Sequence, residues 1–432
     1  MPDLKLSALL EALRSGAADR VVGGFLGAED AARPWIDMTR LQPPICYWVV
    51  HARGHARATL KAFFSGSDFA TYRATLEEYY PDRIDRPRHP LGGLGFVPEL
   101  NAVVWAFPFD PLMPSLHRCV DPDWIAEALG RPDRPVVPEP VDYMPEIGAT
   151  IAYRDPERRR VIAYGKASPK ETCGQIYLVM NHLWQSEARR RGVLKLPKPI
   201  AFRPEADLLL QTRVYGQPLS GDRNRAIFMR LAVEAGRVLA AVHTTDIPFG
   251  SENPIESLFG RLEKSLADLA LVAPPLHTQV RRLLDQLRDR AERAEPAPPV
   301  PSHGDFKYDQ FLRHRQQFVL IDFELFCRAE PALDLGTFCA YLPPSRPLGW
   351  RDSAAAELLR AAFLKSYRRA RRHQPLDFRR LALYEAAMLA IRATALVTRQ
   401  RDDWATRASQ MLDLAMERLV APEPTAGRLV TR

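Results

Sequence analysis

The chain has 432 residues, 46% of them apolar and 26% charged, a makeup that supports two or three buried cores and excludes disordered and collagen-like classes. No run of about 18 uncharged apolar residues occurs, so no membrane span is expected. The net charge of +8 gathers beyond residue 341, where 17 basic residues face 9 acidic ones; its densest part, KSYRRARRHQPLDFRR, lacks the interleaved aromatics that stack bases, so a solvated helix face is expected there and no nucleic-acid partner.

In chain order, MPDLKLSALLEALRSG is an amphipathic helix pattern ended by a glycine, without the long apolar core of a signal peptide. PPICYWVVHARGHARATLKAFF then reads as a hairpin turning at Arg-Gly-His, FATYRATLEEYY as a helix, and FVPELNAVVWAFPFDPLMPSL as a strand pair after a Pro-containing approach. The Pro-rich stretch RPDRPVVPEP marks a domain boundary. After it, VDYMPEIGATIAYRDPERRRVIAYGKAS predicts a three-stranded meander, broken at PEIG and RDPERR and ending on Lys166. ETCGQIYLVMNHLWQSEARRRG is helical, and PKPIAFRPEADLLLQTRVYG gives two more strands around a Pro-Glu-Ala-Asp turn. The order of hairpin ending in lysine, helix and two strands thus occurs twice, with Lys61 and Lys166 in corresponding places: either a degenerate duplication or convergence on a common pattern.

Beyond Gly216 the pattern turns helical, in RAIFMRLAVEAGRVLAAVH, PIESLFGRLEKSLADLALV, and the segments 352 to 373 and 378 to 419. The expected organisation is an N-terminal α+β domain over 1–130, a small β-rich lobe over 131–216 and a helical lobe over 217–432. Five scattered cysteines, odd in number and never spaced as CxxC, argue against a disulfide framework or a zinc site and suit a reducing cytoplasm. HExxH and GxxxxGK[ST] are both absent from the sequence.

The chemistry gathers in PSHGDFKYDQFLRHRQQFVLIDFE, residues 301 to 324. Asp305 precedes Gln310 by five residues, the spacing of a catalytic aspartate and its metal-binding amide in the kinase pattern HRDLxxxN. A hairpin around HRQQ then delivers Asp322. HGDFKYDQ, LIDFE and PALDLGTF, with the strand lysine in VIAYGKAS and with LLLQTRVYGQPL and RVLAAVH, together resemble the aminoglycoside phosphotransferase and choline kinase-like family of small-molecule kinases over residues 135 to 420.

That resemblance implies an α+β, two-lobed protein-kinase-like fold, ATP or GTP as phosphate donor, Mg²⁺, and a small-molecule hydroxyl acceptor. It implies Asp305 as catalytic base, Asp322 and Gln310 as Mg²⁺ ligands, and Lys166 on the nucleotide phosphates, with Lys61 as rival. Gly148, in the turn MPEIGAT, is expected to lie over the nucleotide, and Arg213 and Tyr215 to contact it from the hinge. Gln310 departs from the family's usual Asn by one methylene. Glu171 and Glu187 are both open as the acidic partner of the lysine, and His303, His243 and Asp334 are expected to anchor or pack rather than react. The arginine-rich final helices disfavour a polycationic aminoglycoside and favour a sugar, cyclitol or sugar-containing natural product, with Glu385 and Arg392 as candidate acceptor contacts. The alternatives are an aminoglycoside acceptor, or a non-catalytic nucleotide-binding protein. The sequence leaves the oligomeric state open.

Overall fold

The computed structural model describes residues 25, 35–42, 44–51, 57–86, 93–169, 171–219, 224–342, 353–372, 374–399 and 403–420. The helix expected within the first 16 residues lies outside this set. The chain divides into two compact units, one of residues 1–174, 200–213 and 398–400, the other of 175–199, 214–397 and 401–432.

The first unit holds two five-stranded sheets. One is formed by β1 (Trp35–Gln42), β2 (Ile45–His51), β3 (Arg57–Phe63), β4 (Leu94–Val97) and β5 (Ala102–Ala106) in the order β1-β2-β3-β5-β4. Helix α1 (Gly66–Tyr79) joins β3 to β4 and starts where the Ser65 hydroxyl accepts from the Asp68 N–H, the ordinary N-cap satisfaction of an orphan donor. The short helix α2 (Pro122–Ala128) leads out of this sheet, capped by Asp121. β1 and α2 were not foreseen from the sequence, because WIDMTRLQ alternates weakly and α2 spans under two turns.

The second sheet comprises β6 (Val137–Met144), β7 (Gly148–Asp155), β8 (Arg160–Ala167), β9 (Pro199–Arg203) and β10 (Leu208–Thr212) in the order β6-β7-β8-β10-β9, as expected of the meander and strand pair. Helix α3 (Cys173–Gln185) follows β8. Along β8 every second residue from Val161 to Ala167 is buried, so Lys166 points off the core face.

The two sheets share more than strand order. Each final strand pair turns on a single 3₁₀ turn, Pro98–Leu100 or Pro204–Ala206, closed by a left-handed Asn101 or Asp207 (φ 44° and 39°), residue types that tolerate this conformation. Pro98 lies 37 residues after Lys61 and Pro204 lies 38 after Lys166. In the ladders Lys61 stands opposite Tyr47 and Val103, and Lys166 opposite Thr150 and Leu209, so the two lysines hold the same register position.

The second unit is mostly helical: α3 from Gln175 onward, α4 (Glu187–Arg190), α5 (Arg225–Thr244), α6 (Ile255–Val272), α7 (Pro274–Glu292), α8 (Ala332–Tyr341), α9 (Ser353–Ala370), α10 (Phe378–Arg399) and α11 (Trp404–Val420). The apolar stripe of α6 (Leu258, Leu262, Leu266, Leu269) packs with Leu283 and Leu287 of α7 and Met411 of α11 around α10, which is buried on all sides from Tyr384 to Ala390. Its short strands are β11 (Gln217–Pro218), β12 (Val300–Ser302), β13 (Phe311–His314), β14 (Gln317–Leu320) and β15 (Cys327–Ala329); β13 pairs with β11 and β14, and β12 with β15. All five cysteines are buried thiols without a disulfide. Burial pushes Cys119 and Cys327 up to about 12, so neither is a thiolate at neutral pH. No helix among the described residues is long and apolar enough to cross a membrane.

Candidate active site

The strand pair β12 and β15 closes the base of the loop that carries the aspartates. At its entry Gly304 takes φ +81°, and a Cβ built there would lie 1.9 Å from the Leu325 carbonyl oxygen; only glycine meets both demands. Asp334, wholly buried in the first turn of α8, fixes this entry: its Oδ2 accepts the His303 N–H at 2.7 Å and its Oδ1 the Gly304 N–H at 2.9 Å. His243 at the end of α5 supports Asp334 from behind, Nε2 to Oδ2 3.2 Å, with its Nδ1 2.9 Å from the Tyr367 hydroxyl. The His303 ring lies against the far side of the loop, Nε2 3.0 Å from the Ile321 carbonyl. These three residues are anchors, as their sequence context suggested.

Burial of His243 pulls its pKa below the usual histidine range, against the opposing pull of Asp334. The fold therefore favours neutral imidazole, and the unfolded chain binds the extra proton first. Stability is expected to hold above about pH 6.5 and to fall as pH drops from there toward the depressed folded value. Urea unfolding at a series of pH values checks this, and His243→Gln should flatten that limb.

Asp305 follows at the loop's apex. Its Oδ2 accepts 2.7 Å from the Gln310 amide Nε2 and lies 2.7 Å from Lys307 Nζ. Gln310 ends a 3₁₀ turn (Tyr308–Gln310), and its backbone carbonyl accepts the Ile321 N–H at 2.9 Å. Asp322 is the residue that follows Ile321. Between Gln310 and Ile321 the β13–β14 hairpin turns tightly through Arg315 at φ +52°, and Asp322 itself is left-handed at φ +69°, a conformation aspartate tolerates and structures tend to hold at functional positions. The loop thus brings Asp305, Lys307 and Gln310 together, with Asp322 one residue beyond the bond that ties Ile321 to Gln310.

Lys307 was missed in the sequence reading. Burial alone would lower its pKa, but Asp305 and Asp309, with Tyr341, hold its ammonium above the ordinary lysine range. Its Nζ also sits 4.9 Å from the centroid of the Tyr341 ring. The available signal was its place two residues after Asp305, in a loop turned back on itself by a glycine.

In the other unit, Lys166 is half-buried on β8 beside Thr150 of β7. Gly148, at the start of β7, passes so close to β8 that a Cβ would lie 3.0 Å from the Ala167 carbonyl. Arg213 follows β10 directly. Tyr215, 53% exposed, has its ring 6.1 Å from that of His314 on β13. Glu187 pairs with Arg190 and Arg191 at 2.9 and 2.7 Å, Glu171 is exposed ahead of α3, and α3 itself contains no acidic residue.

Glu385 requires a correction. Its carboxylate is fully buried in a fork from Arg360 (2.8 to 3.2 Å), with Arg418 Nε at 2.9 Å, so it ties α9, α10 and α11 together and faces no acceptor. A helical pattern marks which residues are apolar, not which charges find buried partners. Arg392, by contrast, stands near the loop: it donates to the Ala340 carbonyl and lies 4.3 Å over the Tyr341 ring, the face-on partner of which includes Lys307. Burial pulls its guanidinium below its ordinary range.

The model of the family described as "Phosphotransferase enzyme family" matches residues 164–384. The chain belongs to that family. This phosphotransferase acts on small molecules and has the protein-kinase-like fold that its sequence implied. A crystal structure of a candidate aminoglycoside phosphotransferase from Ralstonia eutropha JMP134 shares 19% identity at a TM-score of 0.50, over 66% of this chain and 93% of that one. The amicoumacin kinase hAmiN, in complex with AMP-PNP, Ca²⁺ and amicoumacin, shares 14% at 0.47 over 65% and 87%. A choline/ethanolamine kinase family protein from Mesorhizobium loti shares 17% at 0.44 over 66% and 89%. No curated protein matches the phosphotransferase.

Proposed function

We propose that the phosphotransferase moves the γ-phosphate of ATP to a hydroxyl of a small molecule, with Asp305 as the base that orients the hydroxyl and takes its proton. The observation that carries this reading is Gln310 bonded both to the Asp305 carboxylate and to Ile321, the residue before Asp322. The Gln310 amide nitrogen donates to the Asp305 carboxylate at 2.7 Å, and the Gln310 carbonyl accepts the Ile321 N–H at 2.9 Å, one residue before Asp322. Phosphoryl transfer needs little covalent help and much positioning and charge.

Asp322 and the Gln310 amide oxygen offer hard oxygen donors of the kind Mg²⁺ takes. Mg²⁺ ordinarily keeps several waters and takes nucleotide phosphates beside one or two protein ligands. When bound, Mg²⁺ would neutralise charge on the phosphates. Lys166 would contact the α- and β-phosphates, the turn before Gly148 would cover them, and Arg213 and Tyr215 would face the base. Lys307, held to Asp305, is placed to follow the transferred phosphate's charge.

For the acceptor, Lys307 and Arg392 both lie against Tyr341 beside the catalytic loop. Two cations there disfavour a polycation and suit a neutral or anionic hydroxyl compound such as a sugar, cyclitol or sugar-containing natural product. Solved relatives hold hygromycin B and streptomycin, so aminoglycosides belong in the test as the alternative. One observation favours a second reading, nucleotide binding without transfer: the Asp305 carboxylate is already ion-paired with Lys307.

The experiment is Mg-ATP with a panel of sugars, cyclitols and aminoglycosides, reading acceptor-stimulated ADP. Repeated turnovers with a sugar-type acceptor are expected. MgATP-dependent thermal stabilisation with no turnover on any acceptor would overturn transfer in favour of the second reading.

A further inference from the structure

The turn joining β6 to β7 carries a side chain that the phosphotransfer reading leaves unused. Its four residues, Met144 to Ile147, close on an Ile147 N–H to Met144 carbonyl bond of 3.0 Å, with Pro145 second and Glu146 third at φ +58°. A positive φ at the third position is normally met by glycine, and glutamate there costs energy that other contacts must offset.

Those contacts come from the first sheet and its helix α1. The Glu146 carboxylate receives Lys61 Nζ at 2.8 and 3.0 Å, the Tyr72 hydroxyl at 2.7 Å and the Tyr47 hydroxyl. Lys61 and Glu146 side chains are each 7% exposed. The ammonium also lies 3.9 Å from the Tyr72 ring centroid, a stacking worth more when desolvated. Behind the turn, the Glu146 N–H donates to Asp110 Oδ2 at 2.8 Å, and the Tyr143 hydroxyl donates to the same oxygen. Asp110 is wholly buried, and its Oδ1 accepts from the Leu112 and Met113 N–H groups. The turn is therefore gripped at both its side chain and its backbone.

Lys61 holds the register position that Lys166 holds in the second sheet. We propose that the first sheet is a second, altered copy of the small lobe, in which the lysine of a nucleotide site has been turned to hold the neighbouring copy's nucleotide-covering turn, the Glu146 carboxylate standing where a phosphate would stand. Lys61 and Glu146 are on this view positioning residues: they fix the turn before Gly148 in one conformation, so nucleotide binding need not order it. The first sheet is then no second nucleotide site, and each chain binds a single MgATP. The proposal rests on the nucleotide reading given above for Lys166 and the turn.

The test uses the full chain, Lys61→Met and Glu146→Gln. Amide exchange over residues 144–150 without nucleotide reads the grip itself, calorimetry reads MgATP affinity and stoichiometry, and steady-state kinetics separates KM from kcat. Lys61→Met should speed exchange at the turn and, if the competent turn is then populated about a tenth of the time, weaken MgATP roughly tenfold. The rise should appear in nucleotide KM, with kcat at saturation and acceptor KM unchanged. Glu146→Gln keeps shape and hydrogen-bonding reach while losing the charge, and should move the same way by less; it carries the test if Lys61→Met does not fold. Folded variants that match wild type in MgATP affinity, or two nucleotides per wild-type chain, would overturn the proposal. A wild type that neither binds MgATP nor transfers phosphate sinks the reading of the site, whereas variants indistinguishable from a nucleotide-binding wild type sink only the clamp.

Discussion

Asp305→Asn is expected to lower kcat by between about a hundredfold and ten-thousandfold, the span a positioned general base usually contributes, with nucleotide affinity little changed. The substitution keeps the shape and the oxygen that accepts from Gln310 Nε2, but an amide cannot take the hydroxyl proton. Its structural cost is limited, because the Asp305 and Lys307 side chains keep about 20% and 16% of their surface in contact with water and Lys307 retains Asp309 at 3.9 Å. Acceptor-stimulated ADP release, set beside a thermal melt of the same sample, separates the two effects. Activity retained within a few-fold of wild type would remove Asp305 from the role of base.

The second large effect comes from a residue with no chemistry of its own. Gly304→Ala must place a methyl group 1.9 Å from the Leu325 carbonyl oxygen, in backbone that already has φ +81°. Strain in the left-handed region and overpacking each cost about 1–3 kcal/mol, and the obstacle is backbone, which cannot rotate aside. The loop entry must therefore shift, loosening the Asp334 contacts to the His303 and Gly304 N–H groups. A displacement of about 1 Å at the reacting groups can cost roughly a hundredfold in rate. A stable, folded Gly304→Ala protein with full activity would show that the loop entry does not position Asp305. Denaturant unfolding and turnover on the same preparation decide this.

Much of the site was legible before its geometry was known, because its parts are local. The Asp305 to Gln310 spacing lies within one loop, the hairpin announced itself by short apolar runs around HRQQ, and Lys166 closes a strand whose alternation is plain in VIAYGKA. The second sheet's turn, Pro-Glu-Ala-Asp, was equally visible, and its counterpart in the first sheet is the turn at Pro98. What the sequence hid are pairings over long separations. Glu146 meets Lys61 85 residues away, and no periodicity in either segment signals the other. Glu385 read as a candidate acceptor contact, yet Arg360 and Arg418 fold in to neutralise it within the core. Charge counts report composition, whereas burial is decided by which helices cross.

The β12–β15 pairing, Val300 to Ala329, Pro301 to Arg328 and Ser302 to Cys327, makes the whole aspartate-bearing segment a ring drawn shut at a three-residue neck. Such a ring is tolerant where it is widest and unforgiving where it is tied. Extra residues at the Arg315 turn would lengthen a hairpin tip at a closure cost that grows only slowly with length, whereas one residue added at the neck would rotate every aspartate in the ring away from its neighbours. The chemistry is thus carried as a cassette, whose outer edge tolerates a change of length while its three rungs of pairing do not.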